Sequence, residues 1–309
     1  MLLAEWAELQ PQSVLSSPWT VKEEYESYQV LTAEFDAPQI QSSARPYSGV
    51  GEGLIVYGDD GDPVIQETQS IRLALTVPKS AQPAGGFPLT IYMNGSGGEY
   101  YQAIHRGPID ENAPRDEQDE PVPGTGPSEW LARRGVATLG FDFPFHGNRN
   151  NPPDTEGLML YHLLGNIEAT IDNFNVSGVE LVLLSRLMTT VSVDASLADT
   201  LDAGEAADGL ITFDPERLTA MGQSMGTTLG VAWATVGPRV KGLVLSGAGG
   251  ILVDIAVNAT KPFALRPLLE DLMGLTGDVK IAFTPSHAAR FAKRLGLGGP
   301  NQQSPLRHR

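Results

Sequence analysis

Five short apolar runs, each closed by glycine or proline, constrain the fold of this chain more than any other feature. SIRLALTVP (Ser70 to Pro78) alternates in polarity, as a half-exposed strand does. FPLTIYMNG (Phe87 to Gly95) is apolar until it ends in glycine. GVATLGFDFP (Gly135 to Pro144) follows PSEWLARRG, where Ser128 is placed to cap a short helix and Gly135 to end it. Leu218 to Met221 is a fourth run, after a turn in FDPER, and RVKGLVLSGAGG (Arg239 to Gly250) is a fifth. Between these last two lies a helical stretch, Met225 to Val236, stopped by Gly237 and Pro238. Strand, helix, strand with short punctuation is the pattern of a parallel sheet.

The remaining segments are less regular. Residues 1–69 are rich in Pro, Gly and Ser and read as an irregular extension packed on the core. LMLYHLLGNIEATIDNF and VELVLLSRLMTTV, within residues 155–200, read as amphipathic helices. An acidic, proline-rich stretch from Ile109 to Pro127 carries six carboxylates but matches no calcium-loop spacing, so a solvated loop is expected, as it is for GDDGDP (Gly58 to Pro63). No internal repeat is visible.

Composition removes whole classes of function. A chain of 309 residues with 41% apolar content can bury one large domain or two smaller ones. With 21 basic and 37 acidic residues the net charge is -16, which argues against nucleic-acid binding. The absence of cysteine excludes disulfides, cysteine nucleophiles and thiolate metal sites. No run of apolar residues is long enough to span a bilayer. MLLAEWAELQ lacks a basic start, and Glu5 and Glu8 interrupt it. As written the chain reads as cytoplasmic; removal of an earlier signal would make it secreted or periplasmic.

Gly222, Ser224 and Gly226 form a Gly-x-Ser-x-Gly pattern in LTAMGQSMGTT. The five letters alone are a weak signal, and their context is what counts. Ser224 falls between a strand and a helix, where a sharp turn exposes a hydroxyl. Side chains at 222 or 226 would strike neighbouring backbone in so tight a turn. The helix N-terminus behind Ser224 favours developing negative charge. YMNGSGGEY (Tyr92 to Tyr100) is a glycine-rich loop after a strand, and its N–H groups can point at an oxyanion. The N–H of Ser96 and the N–H of Met225 are the candidate pair. Alone, that loop is also compatible with a plain glycine turn.

These elements resemble the α/β-hydrolase superfamily over residues 70 to 250. DPERLTAMGQSMG is similar to its strand and nucleophile elbow, and IYMNGSGG to its oxyanion loop, with Asn94 where a histidine is usual. GFDFPFHGNRN resembles its Asp-x-x-x-His-Gly loop. The chain looks most like secreted bacterial esterases and lipases with a helical cap. The resemblance implies an α/β fold, a central mostly parallel sheet with helices on both faces, over residues 70–309. It implies a cap inserted near 152–205, whose apolar stripe could equally be plain helix core. It implies serine-based ester hydrolysis with no cofactor and no metal, and it makes His146 a loop-shaping residue, not a base. His105 and His162 read as an ordinary polar residue and a core or cap histidine.

In this superfamily the acid and then the histidine follow the serine. Asp254, Asp271 and Asp278 are the acidic candidates, and His287 and His308 the remaining histidines. His287, in DVKIAFTPSHAARF, has a strand before it and a helix after it. Yet no strand is visible to carry the acid. Residues 279–309 hold no Asp or Glu but hold Lys280, Arg290, Lys293, Arg294, Arg307 and Arg309. This change of composition leads to the expectation that the tail is altered or truncated and that the true acid and base lie outside the chain. The other reading makes His287 the base. The substrate expected is a small ester or lipid, with amide, lactone or thioester cleavage as alternatives. A non-catalytic or inactive protein on the same scaffold is the competing class.

Overall fold

The computed structural model describes residues 3–11, 13–106, 122–149, 166–198, 209–236 and 239–248, with isolated positions between 257 and 270. The acidic stretch up to 121, His162, Gly237 and Pro238, and residues 152–165, 199–205 and 279–309 lie outside the described residues.

Among the described residues, seven strands form one sheet in the order β1-β2-β3-β5-β4-β8-β9. They are β1 (Thr20–Glu24), β2 (Tyr28–Gln39), β3 (Glu67–Pro78), β4 (Phe87–Met93), β5 (Ala137–Phe141), β8 (Phe213–Gln223) and β9 (Gly242–Ser246). β5, β4, β8 and β9 run parallel, whereas β1, β2 and β3 are antiparallel to their neighbours. A two-residue ribbon, β6 (Val193–Asp194) with β7 (Leu210–Ile211), stands apart. Every residue of β4 and β5 is buried, which is why both read as unbroken apolar runs. The turn expected in FDPER is a bulge within β8: Phe87 pairs with Phe213, but Leu89 pairs with Leu218.

The helices are α1 (Leu3–Leu9), α2 (Gln102–His105), α3 (Pro127–Ala132), α4 (Ile167–Met188) and α5 (Met225–Val236). They cover both faces, and strand parity shows which. Leu31, Ala33 and Phe35 of β2, with Leu73 and Leu75 of β3, join the large apolar cluster that includes α1, α4 and α5. Tyr28, Val30 and Ala74, of opposite parity, join the smaller cluster with Ile104 of α2 and Ala132 of α3. This mostly parallel sheet with helices on both faces is the α/β-hydrolase topology.

Three local expectations change. Part of the N-terminal segment is regular: β2 alternates buried and half-buried residues from Leu31 to Gln39 and pairs with the whole of β3, while residues 40–66 hold turns and isolated bridges. Helix α3 is capped by Gly126, not Ser128. Pro127 takes the first helical position, where its missing N–H costs nothing, and Ser128 is buried one position later. Gly126 sits there because a Cβ would lie 2.4 Å from the Ala103 carbonyl oxygen. Finally, the described part of the expected insert holds α4 and the short β6, and Ala169, Val176, Val179, Leu183 and Leu187 of α4 lie in the main core. Its apolar stripe is therefore core packing.

Helix α4 also ties down the N-terminal segment. The Asn166 amide donates to the carbonyls of Tyr47, Gly49 and Glu52 at 3.0, 2.8 and 2.8 Å. Arg186 donates to the carbonyls of Ala7 and Gln10.

Candidate active site

After β4 the chain crosses to β5 on one side, and it later returns to β8 on the other. The strand order thus reverses between β4 and β8, and the crevice beyond their carboxyl ends is where such sheets bind ligands. The two segments leaving those ends are Asn94 to Gly98 and Gln223 to Met225. Met93 pairs with Gly222, which sets them side by side.

Ser224 occupies the turn between β8 and α5 with φ +51°. That left-handed conformation costs an L-residue about 1–2 kcal/mol. Backbone contacts hold it. The Ser224 N–H donates to the Ser246 carbonyl at 2.9 Å, and the Ser224 carbonyl accepts from the Thr227 N–H at 2.9 Å. A Cβ on Gly226 would lie 2.1 Å from the Met93 carbonyl oxygen, and one on Gly222 would lie 2.8 Å from the Gly226 carbonyl oxygen. The first turn of α5 can pack against the ends of β4 and β8 only because both positions are glycine. Ser224 is exposed between buried Gly222 and buried Met225. Met225 opens α5, so its N–H belongs to the turn that has no intrahelical acceptors.

The glycine-rich loop is held by side chains. Gly95 N–H donates to Gln102 Oε1 at 3.0 Å, Gly97 N–H to His146 Nε2 at 3.2 Å, and Gly98 N–H to the Gly95 carbonyl at 2.9 Å. Among the described residues the Ser96 N–H has no acceptor, and Ser96 itself is exposed. Asn94 is buried, and its amide donates to the Gly95 carbonyl at 3.2 Å.

His146 is a structural support in this geometry. Gly97 N–H can only donate, so Nε2 is the bare nitrogen, and Nδ1–H donates to the Pro144 carbonyl at 2.8 Å. Burial, aided by the charge of Arg149, lowers its pKa to about 4, against the opposing Pro144 bond. The imidazole is neutral and fully engaged at pH 7. His105 is held less firmly, since its buried Nδ1 has no hydrogen-bond partner among the described residues. It stacks on Tyr101 with ring centroids 5.0 Å apart, and its Nε2 lies 4.0 Å from Glu23. His287, His308, Asp254, Asp271 and Asp278 lie outside the described residues.

Several supporting residues escaped the sequence reading. Asp142 is fully buried and accepts from Arg72 Nε at 2.7 Å and from Tyr100 N–H at 2.9 Å. Burial raises its pKa, while Arg72 pulls the other way. Gly147, with φ +54°, makes room, since a Cβ would lie 2.3 Å from Asp142 Oδ1. The Asp-x-x-x-His-Gly segment thus brackets the glycine loop, Asp142 at Tyr100 and His146 at Gly97. Arg149 fixes the bracket: it donates to the Asp142 carbonyl at 2.9 Å and pairs with buried Glu180 of α4 at 2.6 and 2.8 Å. The motif contained Asp142, but nothing local announced Glu180.

Among the described residues no group of three metal-ligating side chains occurs, and no helix is long and apolar enough to cross a membrane. No family model and no curated protein matches the chain. Solved structures do match, at low identity. An acetyl xylan esterase from Paenibacillus sp. R4 is 14% identical with a TM-score of 0.39, over 78% of this chain and 55% of that one. Acetyl xylan esterase 1 from Thermoanaerobacterium sp. JW/SL YS485 is 14% identical with a TM-score of 0.40, over 96% and 72%. A CE15 glucuronoyl esterase from Teredinibacter turnerae T7901 is 12% identical with a TM-score of 0.39, over 78% and 47%. The chain spans about half the length of the first and third of these proteins.

Proposed function

We propose that the protein is a serine hydrolase cleaving carboxylic esters through an acyl-enzyme on Ser224. One observation carries the reading: an exposed serine with φ +51° at a strand-to-helix turn, between two glycines that admit no side chain. A left-handed serine is expensive, and such strain collects at functional sites. In this reading Ser224 Oγ attacks the ester carbonyl and gives up its proton to a base. The N–H groups of Ser96 and Met225 stabilise the oxyanion, and the base returns the proton to the leaving alcohol. Water then attacks the acyl-enzyme and releases the acid. His287 is the base proposed, because it follows Ser224 in the chain, as the base of this fold does, whereas His105 and His146 precede it.

The engagement of both ring nitrogens of His146 also favours a second reading, a hydrolase scaffold that binds without catalysis. A fluorophosphonate probe separates the two. Labelling of wild type, lost in Ser224→Ala and slowed in His287→Ala, is the expected result. Folded wild-type protein that takes no label leaves the binding reading standing. Labelling that His287→Ala does not slow removes His287 as base. A series of p-nitrophenyl esters of rising acyl length then separates small esters from lipids.

A further inference from the structure

The two candidate oxyanion donors lie on different segments, so something must set the gap between them. Two side chains of one short helix reach both. Gln102 begins α2, and Arg106 follows its last residue, one helical turn later. Gln102 Oε1 accepts from the Gly95 N–H at 3.0 Å, one residue before Ser96. Arg106 Nη1 donates to Gln223 Oε1 at 2.8 Å, one residue before Ser224. The two bonds are not independent. A Cβ on Gly95 would lie 2.1 Å from Gln223 Oε1, so the atom Arg106 holds is pressed against the backbone Gln102 holds. The helix is anchored in turn. Gln102 N–H donates to the Glu99 carbonyl at 2.9 Å, and Arg106 N–H to the Gln102 carbonyl at 3.0 Å. Ile104 and Tyr101 pack in the smaller apolar cluster.

We infer that Gln102 and Arg106 are positioning residues, which clamp the glycine loop to the serine turn and so set the separation of the Ser96 and Met225 N–H groups. The inference rests on the proposed serine chemistry for its kinetic consequence, but the clamp itself can be tested without it. Neither side chain touches the reacting atoms. Their effect is on where the oxyanion donors stand, and an error of about 1 Å there can cost on the order of a hundredfold in rate.

The test uses the full chain with Arg106→Leu, Arg106→Lys, Gln102→Ala and Gln102→Glu. In Arg106→Leu, kcat on p-nitrophenyl butyrate should fall about tenfold to a hundredfold with KM within about twofold. Arg106→Lys keeps a donor and Gln102→Glu keeps an acceptor, so both should recover most of the loss. An Arg106→Leu enzyme with unchanged kcat, or one in which only KM rises, overturns the inference. Amide hydrogen exchange supplies the arm that needs no activity. Peptides covering residues 92–99 and 221–226 should both exchange faster in Arg106→Leu and in Gln102→Ala, while β2 and β3 do not change. Exchange confined to one of the two segments, or unchanged in both, also overturns it. Wild-type protein that takes no fluorophosphonate label would refute the serine chemistry, and the exchange arm would still decide the clamp.

Discussion

The two segments that meet beyond β4 and β8 are held by opposite means. Apart from the Arg106 bond at Gln223, the serine turn is held by backbone: the N–H and carbonyl of Ser224 are both bonded to main chain, and its glycines are set by carbonyl oxygens 2.1 and 2.8 Å from where a Cβ would stand. The glycine loop is held by side chains from other elements: Gln102 at Gly95, His146 at Gly97 and Asp142 at Tyr100. Steric constraint leaves a local signature, because only glycine satisfies it. Side-chain support leaves none, because its partners lie far along the chain. It also makes the loop responsive to mutation at a distance and to pH, whereas the turn should respond chiefly to shape.

The largest effect should come from cutting the loop's support at its far end. Arg149→Met removes the partner of Glu180, whose side chain is 2% exposed. An uncompensated buried carboxylate costs about 3–5 kcal/mol. Chemical denaturation should show that loss, and the double variant Arg149→Met with Glu180→Leu should recover much of it. Loss below about 1 kcal/mol would mean the pair lies open to water. The counterpart in the turn is Gly226→Ala. Its methyl must displace the Met93 carbonyl, and overpacking of this kind costs up to about 3 kcal/mol. Fluorophosphonate labelling should vanish as well, since that carbonyl lies at the base of the glycine loop. A stable, fully labelled Gly226→Ala protein would show that α5 and the end of β4 can part at little cost.

This contrast also explains what could be read from the sequence. Ser224, its glycines, β3, β4, β5, β9 and α5 announced themselves through periodicity and punctuation that act within about ten residues. β2 did not, because Glu34, Asp36 and Pro38 mask an alternation that shows only against β3. Ser128 was a sound cap by local rules, yet the close approach of Gly126 to the Ala103 carbonyl starts the helix earlier. The α4 stripe had two readings, and only its packing in the main core separates them. Gln102, Arg106 and Glu180 are ordinary polar letters in sequence. Their roles depend on partners seven, 117 and 31 residues away.

The pH response should belong to the loop. His146 titrates near 6.5 in an unfolded chain and near 4 in the folded protein. Between these values the unfolded chain binds the extra proton, so stability is fully present above about 6.5 and declines as pH falls toward 4. The difference corresponds to about 3 kcal/mol at most. The raised pKa of Asp142 contributes a slope of the opposite sign, so the useful measurement is a difference. His146→Gln should be less stable than wild type at pH 7.5, with the gap closing as pH falls to 4.5. A gap independent of pH would mean that the imidazole is not held neutral at Gly97.

The smallest effect separates strain from chemistry in the turn itself. Ser224→Ala removes the hydroxyl and keeps the left-handed backbone, so its stability should stay close to wild type. Ser224→Gly removes the hydroxyl and the strain together. Relief of about 1–2 kcal/mol, less the entropy a glycine loses on folding, leaves a gain of about 0.5–1 kcal/mol over Ser224→Ala. Both variants should be unlabelled by fluorophosphonate, so the comparison is free of activity. Equal melting temperatures would mean that the +51° φ is relaxed at no cost in solution. The steric account of the turn would then rest on Gly222 and Gly226 alone.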